Sequence, residues 1–136
     1  MTFETTITHD PIEIGAAIER ARTPATGGTT IFLGTVRDDG IDALDLEVYD
    51  DLARADLTAI GRELQERYHL TSVIIIHRFG HLSIGDIILL IACGAPHRQE
   101  AFAACSEILE RIKASVPIWK KEIRGTTDRW IPGHGE

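Results

Sequence analysis

Apolar and polar residues alternate along two segments in the first half of the chain, 3–8 and 43–49, as they do in strands with one buried face. The segments 29–36 and 73–76 are instead nearly continuous in apolar or β-branched residues, which is typical of strands buried in a core. A further apolar run, 86–92, follows 73–76 after a turn that contains two glycines. We therefore expect these last two strands to form an antiparallel pair.

Three segments repeat their apolar positions at helical spacing. The first helix is predicted over 11–22, because Asp10 and Glu13 flank a proline in the order of an N-cap, a first-turn proline and a capping-box acid. The second is predicted over 50–68 and the third over 97–115. The residues expected on the buried faces are Ala53, Leu57, Ile60, Leu64 and Tyr68 in the second helix, and Phe102, Cys105, Ile108 or Leu109, Ile112 and Val116 in the third.

Pro117 ends the third helical pattern, and a short strand is predicted over 118–123. The residues from Gly125 onward have no periodicity, so we expect 125–136 to be an extended surface tail that orders against a partner. The strands and about three helices predict a single α+β domain over residues 1–136, with a mixed or antiparallel sheet.

Length and composition agree with one domain and exclude several kinds of protein. The chain has 136 residues, of which 43% are hydrophobic, enough for one core. A formal charge of −7 argues against nonspecific binding to nucleic acid. No run approaches the roughly 20 apolar residues of a membrane span, and no basic start precedes an apolar segment. We therefore expect a cytoplasmic protein that binds neither nucleic acid nor membrane.

Cysteine and histidine do not form a recognisable metal motif. Cys93 and Cys105 lie in apolar surroundings and lack the paired spacing of a zinc or redox site, so both are interpreted as core residues. His77 and His81 are four residues apart, but no carboxylate pattern completes a site around them. A structural role is the preferred interpretation, and no metal is expected.

The lysines are concentrated in one segment of the chain. There are eleven arginines and only three lysines, Lys113, Lys120 and Lys121. They lie in the last 40 residues, which carry 7 basic against 6 acidic side chains, whereas residues 1–96 carry 7 basic against 15 acidic. The distribution suggests that arginine would not serve at these three positions. It also excludes a phosphate-binding P-loop, since no lysine precedes residue 113.

Several basic residues stand at predicted element ends, where they can bind an anion. Arg37 ends a strand, and His97-Arg98 begins a helix whose free amides and dipole favour negative charge. A capping, solvated pair is the alternative for His97-Arg98. Lys113 lies beside the apolar stripe of the third helix and can act as a base or a nucleophile, or can simply extend its amine to the surface.

Ordered blocks along the chain, covering about residues 5–131, resemble the family of molybdopterin synthase catalytic subunits, the MoaE family. The blocks are Gly34-Thr35-Val36-Arg37, Leu46-Glu47-Val48-Tyr49, His77-Arg78-Phe79-Gly80, Pro96-His97-Arg98 and Val116-Pro117-Ile118-Trp119-Lys120-Lys121-Glu122. The last of them is the most specific. The resemblance implies an α/β-hammerhead-like fold.

The resemblance also implies an activity: two sulfur transfers from the C-terminal thiocarboxylate of a small ubiquitin-like subunit to cyclic pyranopterin monophosphate, which form molybdopterin. It implies a homodimer at the core of a heterotetramer, and no cofactor of its own. Lys113 and Lys120 are the implied catalytic residues. The implied substrate-binding residues are Phe32, Thr35, Val36, Arg37, His97, Arg98, Lys121 and Glu122.

A continuous third helix would separate Arg98 from Lys113 by about 22 Å, because each residue advances a helix by about 1.5 Å. We therefore expect a two-fold dimer in which His97-Arg98 of one subunit completes the pocket that contains Lys113 of the other. Two other hypotheses are a noncatalytic module that binds an anion or an acidic peptide, and a histidine-based metal enzyme. The first predicts that arginine can replace each lysine, and the second predicts stoichiometric metal.

Overall fold

The computed structural model describes residues 1–125 and 127–131, which form three helices and two four-stranded sheets. In chain order the elements are β1 (Thr2–Thr8), α1 (Ile14–Ala21), β2 (Gly28–Thr35), β3 (Ala43–Val48), α2 (Asp50–Tyr68), β4 (Ser72–Arg78), β5 (Gly80–Ser83), β6 (Ile87–Ala95), α3 (Arg98–Ser115), β7 (Ile118–Arg124) and β8 (Thr127–Ile131). The predicted α+β class with mixed sheets is confirmed. None of the helices in the described part of the chain is long and apolar enough to cross a membrane.

The first sheet has the strand order β1-β4-β6-β2 and the second has the order β5-β3-β7-β8. β1 runs parallel to β4, and every other neighbouring pair is antiparallel. The predicted antiparallel pairing of 73–76 with 86–92 is confirmed, with Ile75 opposite Ile91. The chain passes from the first sheet to the second between β4 and β5, where Gly80 adopts φ +108°.

Helices cover both faces of the first sheet, which explains the continuous apolar runs of its central strands. Val73 and Ile75 of β4 pack into the larger cluster with α2 and α3, whereas Ile74 and Ile76 pack into the smaller one with α1. Successive side chains of a strand point to opposite faces, so both sets must be apolar. The predicted buried face of α2 is confirmed for Ala53, Leu57, Ile60 and Leu64.

The first helix begins later than predicted. Its N-cap is Glu13 and its first residue is Ile14, so the prediction of a helix starting at Pro11 is wrong. The Thr8 hydroxyl instead accepts the backbone N–H of Asp10 at 3.0 Å and holds the chain in a turn. Ile12 and Ile14 then pack against the smaller core cluster, which fixes the helix one turn further along.

Phe102 does not lie on the buried face of α3, as the apolar spacing predicted. Its side chain is 63% exposed, and Ala101, Ala104, Cys105, Ile108 and Ile112 face the core. The Thr30 hydroxyl donates to the Ala101 carbonyl at 2.7 Å. Small residues are therefore needed on this face, because the helix backbone approaches β2 closely.

Two strands were not predicted. β5 has only four residues, too few for a periodic pattern. The segment 125–136 was expected to be an extended tail, but Thr127–Ile131 pairs with β7 in the register Lys120↔Ile131 to Arg124↔Thr127. Backbone hydrogen bonds to an open sheet edge stabilise this strand, and side-chain periodicity does not report them. Residue 126 and residues 132–136 of that predicted tail lie outside the described residues.

Gly27 allows the start of α3 to approach the start of β2. A Cβ atom at this position would lie 2.1 Å from the Pro96 carbonyl oxygen, a distance that two such atoms never adopt. The backbone N–H of Gly27 also donates to the Ala95 carbonyl at 2.9 Å. Gly27 therefore sets the position of the helix start that carries His97 and Arg98.

We predict that Gly27→Ala lowers the free energy of unfolding by about 1–3 kcal/mol, because the new methyl group forces the Pro96 backbone to move. Gly15→Ala is the matched control, since nothing lies within 4 Å of its added Cβ and alanine favours the helix. Urea denaturation of both variants measures the difference. Equal stability of the two variants would contradict the close approach.

Candidate functional site

α3 and β2 run side by side in the same direction, and this arrangement locates Lys113. Thr30 bonds to the Ala101 carbonyl, and Phe32 and Cys105 line one cavity between the two elements. Lys113 is eight residues beyond Cys105, or about 12 Å along the helix, which corresponds to three or four residues of the strand. Lys113 therefore lies level with Thr35 and Val36, at the carboxyl end of β2.

The three polar residues of β7 lie on two faces of the second sheet. Lys120 and Glu122 share the face of the buried Ile118, whereas Lys121 points to the opposite face. Lys120 lies opposite Leu46, a core residue. Both lysines are half-buried, and Glu122 is buried and accepts a hydrogen bond from Arg124 at 3.0 Å.

Lys121 faces a polar row on its side of the sheet. It lies opposite Asp45, which in turn lies opposite His81. The His81 Nδ1 donates to the Asp45 carboxylate at 2.6 Å. The two adjacent lysines therefore have different neighbours across the strand pair: Lys120 lies opposite a core residue, and Lys121 lies opposite an acidic one.

Lys120 lies close to a buried neutral histidine at the end of β4. The His77 ring stacks on Phe79, with centroids 4.4 Å apart. The His77 Nδ1 lies 3.2 Å from the Arg78 carbonyl oxygen. Because a carbonyl oxygen only accepts hydrogen bonds, Nδ1 is the donor and carries the proton. Burial lowers the pKa of His77 to about 4, the bond to the Arg78 carbonyl opposes that shift, and the charge of Lys120 adds to it. Lys120 thus reaches the junction of the two sheets.

The segment after β2 brings Arg37 to the same junction. Val36 is buried, and its N–H donates to the Asp86 carbonyl at 2.9 Å. The following loop is tied to β7, because Arg124 donates to the Gly40 carbonyl at 3.1 Å. Arg37 itself is 82% exposed and pairs with Asp39 at 3.1 Å. One end of the molecule therefore contains five of the predicted site residues: Thr35, Val36, Arg37, Lys113 and Lys120.

Arg78 belongs to this end of the molecule, although it is not among the site residues predicted from the sequence. Its side chain is 16% exposed, and its Nη1 lies 3.7 Å from Asp86. The buried Nε atom has no hydrogen-bond partner among the described residues. Such a guanidinium can accept an anion at little further desolvation cost. A signal was present, because Arg78 directly follows the apolar run of β4 and a histidine.

His97 and Arg98 lie at the opposite end of α3. His97 is the N-cap in an extended conformation without a side-chain cap bond, and both side chains are exposed. α3 is one continuous helix from Arg98 to Ser115, as predicted. The distance from Arg98 to the level of Lys113 is therefore about 22 Å. One chain does not bring the two groups into the same pocket.

Phe32 lies between the two ends, half-buried on β2, where it lines a cavity with α3.

The two histidines considered for metal binding have different environments: His77 is buried against Phe79, and His81 is exposed and bound to Asp45. Within residues 1–125 and 127–131, no three His, Cys, Asp or Glu side chains are grouped to hold a metal ion.

Comparison with known proteins gives one consistent result. The MoaE protein family model matches residues 7–115. The molybdopterin synthase catalytic subunit of Pyrococcus abyssi is 36% identical over 128 residues, covering 91% of this chain and 86% of that protein. The corresponding subunit of Bacillus subtilis is 39% identical over 129 residues, covering 92% and 82%. The crystal structure of molybdopterin synthase from Staphylococcus aureus superposes with a TM-score of 0.86 at 38% identity, covering 92% of this chain and 94% of that one.

The buried His77 predicts a specific dependence of stability on pH. Because its folded pKa, about 4, lies below the ordinary value of 6.5, the unfolded chain binds a proton that the folded chain does not. The contribution of His77 to the free energy of unfolding is fully present above pH 6.5. It is lost as the pH falls towards 4, by about 3 kcal/mol in all. Urea denaturation at neutral pH and near pH 4 measures the loss.

His77→Phe should reduce that pH-dependent loss, whatever its effect on absolute stability. His81→Phe is the control, since this exposed ring lies on the neighbouring strand. An unchanged pH dependence in His77→Phe would show that His77 is not held neutral.

In an NMR titration, Lys120→Met should raise the pKa of His77, because a neighbouring positive charge is removed.

Proposed function

The chain belongs to the MoaE protein family, whose curated relatives are molybdopterin synthase catalytic subunits, and we propose that it performs the sulfur transfer of molybdopterin formation. As a member of this family it is an enzyme of molybdenum cofactor biosynthesis. The proposed sulfur donor is the C-terminal thiocarboxylate of a small ubiquitin-like subunit. The proposed acceptor is cyclic pyranopterin monophosphate, which receives two sulfur atoms.

The observation that carries the proposal is the convergence of two of the three lysines. Lys113 comes from the last turn of α3 and Lys120 from β7, and both lie at the end of the molecule where β2 delivers Thr35 to Arg37. Two half-buried ammonium groups and an exposed arginine suit a reaction between two anions, the thiocarboxylate and the phosphate-bearing pterin.

We assign Lys113 to the reacting atoms, either as acid and base at the ring carbons or as the amine that engages the partner's carboxyl terminus. Attack by the thiocarboxylate sulfur on a ring carbon forms a C–S bond, and the C–O bond of the oxygen substituent on that carbon breaks. The leaving oxygen takes a proton, for which Lys113 is the proposed acid. Cleavage of the acyl–S bond by water then leaves the sulfur on the pterin and a carboxylate on the partner. Lys120 stabilises the negative charge that develops.

The neutral state of His77 supports this role for Lys120. A protonated imidazole next to the lysine would repel it and compete for the same anion. Burial keeps the ring uncharged, with a pKa of about 4, so Lys120 is the cation at this point of the junction. Lys121 and Glu122, with Phe32, remain the proposed outer contacts of the substrate.

The position of His97 and Arg98 supports a site shared between two copies of the chain. They are about 22 Å from the level of Lys113 along α3, too far to hold the same small substrate in one chain. A second copy related by a two-fold axis can supply them, and Arg37 of the first copy then binds the cyclic phosphate together with them. The small subunit binds outside this dimer in the proposed heterotetramer. The cytoplasmic location remains a prediction.

Replacing either lysine by arginine keeps the charge but changes the shape and acidity of the group. We predict that Lys113→Arg and Lys120→Arg each lower product formation by at least about 100-fold, in an assay with the thiocarboxylated small subunit and cyclic pyranopterin monophosphate. Lys121→Arg, on the other face of β7, should have a clearly smaller effect.

Thermal denaturation of the three variants controls for folding. Full activity of Lys113→Arg would overturn its catalytic role and favour the alternative, a noncatalytic module that binds an anion or a peptide. Such a module needs only positive charge at these positions, so it would tolerate arginine at all three.

A complementation assay tests the shared site. Arg98→Ala and Lys113→Ala chains are each expected to be inactive as homodimers. After mixing and exchange of subunits, half of the mixed dimers' sites carry both intact groups, so activity should recover to at most about a quarter of the wild-type level. Mass spectrometry of the mixture verifies exchange. Exchange without any recovery would contradict a site built from two chains.

A further inference from the structure

Arg37, the arginine proposed to bind the phosphate, is paired with a carboxylate of its own loop. Its Nε–H donates to both carboxylate oxygens of Asp39, each at 3.1 Å. The hydrogen bond is therefore shared between the two oxygens, which places the negative charge of Asp39 directly against the guanidinium. Asp39 is not among the site residues predicted from the sequence, and no step of the proposed reaction uses it.

Buried residues hold both ends of the short loop that carries this pair. Val36 precedes Arg37 and Ile41 follows Gly40, and the side chains of Val36 and Ile41 both belong to the larger core cluster. Only the four residues 37–40 connect them. Because four residues span a short distance even when extended, Asp39 stays within reach of Arg37.

Hydrogen bonds to β7 and to the residue after it fix the same loop from the other side. Arg124 donates to the Gly40 carbonyl at 3.1 Å, and the backbone N–H of Asp42 donates to the Ile123 carbonyl at 2.8 Å. The Asp42 carboxylate accepts the N–H of Gly125 at 2.6 Å. The loop is thus attached to the strand that carries the second proposed catalytic lysine.

The neighbouring carboxylate, that of Asp38, makes a different contact. It accepts the backbone N–H of Gly40 at 3.2 Å and so stabilises a turn in which Gly40 adopts φ +78°. Asp38 therefore bonds to the backbone of the loop, whereas Asp39 bonds to the arginine. Because the two acids carry the same charge in the same loop, Asp38 is a matched control for Asp39.

An anion that approaches Arg37 meets the charge of Asp39. Arg37 is 82% exposed and Asp39 46%, so a ligand can reach both side chains. A phosphate that takes the Nε–H must displace the carboxylate. A phosphate that binds the two terminal nitrogens instead lies close to the carboxylate and is repelled by it. In either geometry Asp39 weakens binding, and because the pair is exposed the effect on affinity is about 2- to 5-fold.

We propose that Asp39 sets the affinity of the anion site, because it pairs with Arg37 in the ligand-free protein and competes there with the phosphate of the substrate. The inference rests on the proposed function, since it concerns the arginine assigned there to the phosphate. Asp39 leaves Arg37 when the phosphate binds and pairs with it again after release. Arg37 thus exchanges one anionic partner for another.

The first measurement tests the pairing itself, on the full chain without ligand. NMR spectra at low temperature, where exchange with water is slow, record the arginine Nε–H signals, and the Arg37 signal is identified by its loss in Arg37→Lys. It should move in Asp39→Asn and Asp39→Ala. It should stay in place in Asp38→Asn, whose amide oxygen still accepts from Gly40. No movement in Asp39→Ala, or equal movement in the two asparagine variants, would overturn the pairing.

The second measurement tests the competition, without the small subunit. Each chain is titrated with cyclic pyranopterin monophosphate, followed by calorimetry, and with inorganic phosphate, followed at the Arg37 signal. Asp39→Asn and Asp39→Ala should bind both ligands about 2- to 5-fold more tightly than the wild-type chain. Asp38→Asn should bind them nearly as the wild-type chain does. The gain should shrink at high salt, because screening weakens the charge of Asp39.

Weaker binding by Asp39→Ala would overturn the proposal, because it would show that Asp39 positions Arg37 for the ligand. Equal affinities of Asp39→Asn and Asp38→Asn, or no effect of either ligand at Arg37 in any chain, would overturn it as well. Failure of the proposed function is seen separately. If the affinities change as expected but the chain forms no molybdopterin with the thiocarboxylated small subunit, the role of Asp39 stands and the sulfur transfer does not.

Discussion

The close packing of α3 along β2 determines where the candidate chemistry can occur. Gly27 admits the Pro96 backbone at one end, and the Thr30 bond to the Ala101 carbonyl keeps the helix on the strand further along. Because α3 is one continuous helix from Arg98 to Ser115, its two basic ends are about 22 Å apart. Lys113 therefore meets the carboxyl end of β2, and Arg98 does not. A site that needs both residues requires a second copy of the chain.

The junction between the two sheets supplies the other half of the geometry. β7 follows α3 after Pro117 and returns through the second sheet, so Lys120 arrives beside the end of β4. There it meets an imidazole that burial holds neutral. The positive charge at this point resides on lysine and arginine, and the guanidinium of Arg78, whose Nε atom has no hydrogen-bond partner among the described residues, adds to it. In a chain with a formal charge of −7, this local concentration allows an anion to bind.

Much of this arrangement could be predicted from the sequence, where side-chain periodicity carries the information. The buried strand at 73–76 and helix α2 follow from apolar spacing alone, and the unusual placement of the lysines pointed to their segment. Phe102 was assigned to the core because spacing does not report how closely a helix approaches a sheet. β8 was not predicted because its stability comes from backbone bonds to β7. The position of Arg78 after the apolar run of β4 was a signal in the sequence, but the burial of its Nε atom, which has no hydrogen-bond partner among the described residues, was not. The assignment of catalytic and binding residues remains a prediction from resemblance.

We infer that a partner's carboxyl terminus reaches Lys113 and Lys120 in a pocket completed by a second chain. The most direct measurement is a crystal structure of the complete complex, with the small subunit in its carboxylate form and cyclic pyranopterin monophosphate bound. The terminal carboxylate is expected within hydrogen-bond distance of one of these lysines, and the phosphate is expected in contact with Arg98 of the other copy. A terminus bound elsewhere, or a phosphate held by one chain alone, would contradict it.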